Sequence, residues 1–66
     1  MKPKYPNVEV QLSNEDGNAF LIMGRVIRAL RKGGATPEEI KWFQNEATSG
    51  DYEHLLATCA VWVVVS

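Results

Sequence analysis

Apolar and polar residues alternate at the start of the chain, with Val8, Val10 and Leu12 on one side and Asn7, Glu9 and Gln11 on the other. Side chains along a strand point to opposite faces in turn, so residues 7–12 are predicted to form a strand with one buried face. Pro3 and Pro6 keep residues 1–6 irregular ahead of it, and the turn formers Ser13-Asn14-Glu15-Asp16-Gly17-Asn18 end it. The period then changes. Over residues 19–32, Ala19, Phe20, Met23, Val26, Ile27 and Leu30 share one broad arc of a helix. Arg25, Arg28 and Lys32 lie on the opposite side, with Arg31 flanking them. Gly24 borders the apolar arc, where a missing side chain would let a neighbouring backbone come close. Asn18 is the expected N-cap of this helix and Gly33-Gly34 its stop.

A second helix is announced by Thr36-Pro37-Glu38-Glu39. Threonine can cap, proline is preorganised for the first helical position, and a glutamate three residues after the cap can close a capping box. The helix is predicted over 37–48, with Ile40, Phe43 and Ala47 facing inward. Trp42 projects well away from that face, among Glu38, Glu39, Asn45 and Glu46. Ser49-Gly50-Asp51 opens a third, short helix in which Tyr52, Leu55, Leu56 and Cys59 recur at amphipathic spacing. A final strand is predicted over 61–65. There Val61, Val63 and Val65 point one way, and Trp62 and Val64 the other. The order is β-α-α-α-β, a small single α+β domain over residues 1–66 with paired terminal strands and the helices on one face. Antiparallel pairing is the preferred expectation and parallel the alternative.

Size sharpens the picture. A chain of 66 residues is near the lower limit for a self-sufficient core, where disulfides, metals or oligomerisation usually assist. One cysteine cannot form an internal disulfide, and one histidine cannot complete a zinc site of the usual type. A terminal strand apolar on both faces points to the remaining device, so a homodimer is expected, with Trp62, Val63, Val64 and Val65 at the contact. No apolar run is long enough to span a membrane and no signal-peptide core follows Met1, so a cytoplasmic protein without a membrane partner is expected. The net charge of −1 conceals a dipole: residues 1–34 carry a balance of +3 and residues 35–66 a balance of −4.

The segments Asp16-Gly17-Asn18-Ala19-Phe20, Ala29-Leu30-Arg31, Glu46-Ala47, Ser49-Gly50-Asp51-Tyr52 and Leu55-Leu56, with Gly24, Val26 and Phe43, carry a resemblance. The chain resembles a family of very small bacterial and phage proteins in which a D-G-N-A-F segment opens one helix and an S-G-D-Y segment a later one. The resemblance spans residues 7–65, and the Val63-Val64-Val65 ending is more apolar than that family's pattern. The family has no assigned activity. What the resemblance implies is an accessory protein of phages or mobile elements, with no catalytic residues to transfer.

Two surface patches are candidate sites. Tryptophan is enriched at binding hot spots, and Trp42 among Glu38, Glu39 and Glu46 would suit a partner offering an arginine or a basic groove. Equally, Trp42 could cover the last strand or sit in a homodimer contact. The cations Arg25, Arg28, Arg31 and Lys32 could meet nucleic-acid phosphates, or form a solvated face favoured by the helix dipole. The stretch 14–18 has a faint calcium-loop look but lacks the alternating oxygen ligands. His54 and Cys59 fall about 140° apart on a helix and form no dyad; Cys59 reads as core and His54 as surface. No catalytic constellation and no cofactor are expected. The sequence points to a non-enzymatic protein-interaction module, a phage-type accessory or inhibitor, with a nucleic-acid-binding regulator as the alternative.

Overall fold

The computed structural model describes residues 2–12 and 18–66. Five elements follow one another: β1 (Tyr5–Val10), α1 (Ala19–Lys32), α2 (Pro37–Ala47), α3 (Tyr52–Trp62) and β2 (Val63–Val65). The two strands form a two-stranded sheet, and the domain is α+β as the patterning predicts.

The strands run parallel, correcting the antiparallel preference. A parallel pair needs a long crossover, and residues 11–62 supply one with three helices. Pairing joins Tyr5 to Val63, Glu9 to Val64 and Val10 to Val65, with an irregularity between Tyr5 and Glu9 where β1 bows away. The ladder runs past the strand ends: Leu12 N donates to Ser66 O at 2.9 Å and Ser66 N to Val10 O at 3.0 Å. Tyr5 and Pro6 are part of β1, so the irregular lead is shorter than expected. Val8, Val10 and Leu12 are buried while Asn7, Glu9 and Gln11 are exposed, as the alternation requires.

The second correction concerns the chain's end. Val61 and Trp62 are the last turn of α3, leaving β2 three residues long. A helical carbonyl left over at that end, Val61 O, accepts from Lys4 N at 2.8 Å, so the residue just before β1 caps α3. The five-residue strand apolar on both faces, which called for a second chain, does not exist. Trp62 and Val63 are buried in the chain's own core.

Helix boundaries follow the capping chemistry. Asn18 Oδ1 accepts from Phe20 N and Leu21 N at 3.0 and 3.2 Å. Thr36 and Glu39 form the reciprocal capping box, with Glu39 N donating to Thr36 Oγ1 at 3.1 Å and Thr36 N to Glu39 Oε1 at 3.2 Å. α1 ends in a Schellman arrangement, Gly34 N donating to Arg31 O and Ala35 N to Leu30 O. Gly34 has a positive φ, +96°.

The core gathers Val8, Val10 and Leu12 from the first strand with Ile22, Val26 and Leu30 of α1, Ile40, Phe43 and Ala47 of α2, and Leu55, Cys59, Trp62 and Val63. On α1 the buried stripe is shifted from the expected arc. Ile22 is fully buried, while Phe20 is 84% exposed. Phe20 lies about 120° around the helix from Val26, so a stripe centred on Val26 excludes it. Gly24 is likewise not a point of close approach, since a Cβ there would meet nothing within 4 Å.

Candidate functional site

The two tryptophans have opposite fates. Trp62 is 6% exposed, stacked on Tyr5 with ring centroids 6.2 Å apart and edge-on to Phe43 at 5.7 Å. Trp42 is 53% exposed on α2, about 100° around the helix from the buried Phe43. Between them lies Lys4. Its Nζ is 4.5 Å from the Trp62 ring centroid and 5.9 Å from that of Trp42. Both distances are within reach of a cation–π attraction, the second at its outer limit. The structure therefore brings a cation from the chain's own N-terminal segment to the aromatic patch, a pairing with no signature in the local sequence pattern.

The acidic residues expected around Trp42 divide in the same way. Glu39 is engaged within the fold: it holds the α2 cap, and the Tyr5 hydroxyl, the Thr36 backbone and hydroxyl, and the Lys4 charge keep its carboxyl below the usual range. The same contact raises the Tyr5 hydroxyl. Glu38 and Glu46 are exposed, each four residues from Trp42 and so on its stripe of the helix. Glu46 also lines a shallow groove of about 150 Å³ with His54, Ala57, Thr58, Val61 and Trp62. Trp42, Lys4, Trp62, Val61 and Glu46 thus form a chain of neighbours where α2, α3 and the N-terminal segment meet.

Of the residues assigned to a dimer contact, Trp62 and Val63 are taken by the core, Val64 is half-buried and Val65 is exposed. Val61, at 62% exposed, is the more accessible apolar side chain at this end.

The cations of α1 stand apart from this surface. Arg28, Arg31 and Lys32 are exposed, and Arg25 Nη1 donates to Gln11 O at 3.3 Å. Carbonyls alternate in direction along a strand, and Val10 O points to β2, so Gln11 O points away from it. Arg25 therefore blocks the outer edge of the first strand. A shallow depression over Gly24 is lined by Phe20, Leu21, Arg25, Arg28 and Lys32. A second apolar cleft of about 280 Å³ lies between Phe20, Met23, Ala47, Tyr52 and Leu55. Sequence reasoning missed this region because it placed Phe20 in the core.

A serine–histidine contact also escaped the sequence. His54 Nε2 lies 3.0 Å from Ser49 Oγ, 2.9 Å from Glu46 O and 4.0 Å from Glu46 Oε1. Ser49 Oγ donates to Glu46 O at 2.7 Å. A carbonyl only accepts, so the contact to Glu46 O requires Nε2 to carry its hydrogen. Such a nitrogen cannot take the serine proton, and the geometry is that of a clamp closing the end of α2 onto α3. A Cβ on Gly50 would fall 2.8 Å from His54 Cβ and Cγ, which keeps that turn free of a side chain.

Cys59 is fully buried among apolar neighbours, and burial pushes its thiol up to about 11 from its ordinary value of 9.0. The folded chain is expected to resist thiol reagents at pH 8 and to react on unfolding in urea. The raised value also means that the native state holds this proton more tightly. Stability is then retained below pH 9 and declines between pH 9 and 11. A urea titration at pH 8 and pH 11 reads this, with a Cys59→Ala control isolating the thiol's share.

Among the described residues no group of three histidine, cysteine or acidic side chains gathers as a metal ion would require. No helix of the described residues is long and apolar enough to cross a membrane. The stretch 14–17, which carries the faint calcium-loop pattern and part of the D-G-N-A-F segment, lies outside the described residues. No family model, curated protein or solved structure matches the chain.

Proposed function

We propose that the protein is a non-enzymatic interaction module that docks on a larger protein through the surface centred on Trp42, with Glu38 and Glu46 beside it. The observation that carries this is the exposure of Trp42. An indole held half in water is costly as a monomer surface and well suited to a hot spot. The D-G-N-A-F and S-G-D-Y resemblance is the ground for reading it as an accessory protein of phages or mobile elements. A homodimer through Val64 and Val65, joined by Val61, is an accompanying proposal, supported by the exposure of Val61 and Val65.

Trp42→Ala tests the proposal. Its melting temperature is expected to stay close to the wild-type value, because the half of the residue that is covered lies outside the core cluster, while capture of the partner from host lysate is lost. A drop in stability of about 2 kcal/mol or more would instead assign the ring to the core.

A second reading is favoured by one observation, the exposed Arg28, Arg31 and Lys32 along the outer side of α1. It is a nucleic-acid regulator gripping phosphates there. Binding that collapses as salt rises would support it, since phosphate contacts release counterions and an aromatic hot spot does not.

A further inference from the structure

We infer that the aromatic pair of Trp42 and Trp62 is a subsite for a cationic side chain, an arginine or lysine of the docking protein, and that Lys4 occupies it in cis when the chain is alone. This rests on the interaction surface proposed above and assigns the chemistry of its partner. Lys4 is the stand-in that identifies the ligand class. Its ammonium is 4.5 Å from one indole and 5.9 Å from the other, in the field of Glu39, whose carboxyl its charge helps to keep ionised. Glu38 and Glu46 extend the negative potential along the same side of α2.

The occupancy is readily displaced. The backbone of Lys4 is held by the bond to Val61 O, but its side chain is exposed on a flexible stem. It sits closer to the buried Trp62 than to Trp42, where 5.9 Å is the outer limit of useful attraction. A guanidinium laid on the open face of Trp42 would be better placed, because its plane can stack on the indole while its edge donates to a carboxylate. Lys4 thus acts as an internal competitor that lowers affinity for weakly basic partners.

The test uses N-acetyl-arginine methylamide as the probe and its citrulline counterpart as the neutral control, with the indole N–H signals of Trp42 and Trp62 followed by NMR. In Lys4→Ala the arginine probe is expected to shift the Trp42 signal at concentrations about fivefold lower than in the wild type, in keeping with the strength of an exposed cation–π contact. Citrulline is expected to shift neither signal. Lys4→Arg keeps the cover over Trp62 and installs a stronger cis occupant, so it should bind the probe no better than the wild type. Equal midpoints in the wild type and Lys4→Ala, or equal shifts with citrulline, would overturn the inference. If Lys4→Ala unfolds, a probe response in Lys4→Arg stronger than in the wild type overturns it as well. Should a partner be captured through Trp42 while the arginine probe leaves both indoles unmoved, the docking surface stands and the cation subsite does not.

Discussion

Trp62→Ala is expected to leave the chain largely unfolded in buffer at 25 °C. The indole touches the fold on several sides: Tyr5 stacks on it, Phe43 meets it edge-on and the Lys4 ammonium lies over it. Truncating a buried tryptophan typically costs about 3–5 kcal/mol. Small domains sit towards the low end of the usual 5–15 kcal/mol of stability, so one such loss approaches the whole margin. The β1–α3 junction would fail with it, because Lys4, whose N–H caps α3, and Tyr5 both pack on the ring. Circular dichroism and urea titration read the outcome. A cooperative transition within about 1 kcal/mol of the wild type would show the ring to be a replaceable cover, and would restore it as a candidate for an intermolecular contact.

The second large effect is expected at Gly33→Ala. The backbone there tolerates any residue, at φ −81°. Space does not. A Cβ would collide with Val8 Cγ2 and lie 3.3 Å from Ala29 O. Val8 is itself buried in β1, and its branched side chain has few alternative rotamers. Overpacking of this kind costs about 1–3 kcal/mol. The same substitution at Gly24 supplies the contrast, since nothing lies within 4 Å and the site is in a helix interior. Gly24→Ala should stabilise by about 0.5–1 kcal/mol. Opposite signs in paired urea titrations are the predicted result. A neutral Gly33→Ala would mean that β1 is free to move away from the end of α1.

How much of this was legible in the chain depended on the range of the interactions involved. Thr36-Pro37-Glu38-Glu39, Asn18 and Gly33-Gly34 act within a few residues of themselves, and the bounds of α1 and α2 follow from them. The inward set Ile40, Phe43 and Ala47 was equally readable, because a helix with one apolar stripe permits few choices. Val61 and Trp62 were misplaced for a physical reason. Valine and tryptophan favour strands locally, but Trp62 falls four residues beyond Thr58 and seven beyond Leu55, on the buried stripe of α3. Burial outweighed propensity, and with the longer helix went the two-faced strand. Phe20 shows the converse error, an aromatic at the rim of a broad apolar arc read from helical periodicity when the buried stripe passes through Ile22 instead. The Lys4 position over the tryptophans joins residues distant along the chain, through a strand register that no local pattern encodes.

Hydroxyl-radical footprinting of the free protein and of its complex with the captured partner tests most directly which surface binds. Oxidation at exposed side chains reports their accessibility, and the two rival patches carry reactive probes, Trp42 on one and Phe20 with Leu21 on the other. Trp42 is expected to be strongly oxidised in the free chain and protected in the complex, while Phe20 and Leu21 react equally in both. Protection confined to Phe20 and Leu21, with Trp42 still oxidised in the complex, would contradict it and move the binding surface to α1.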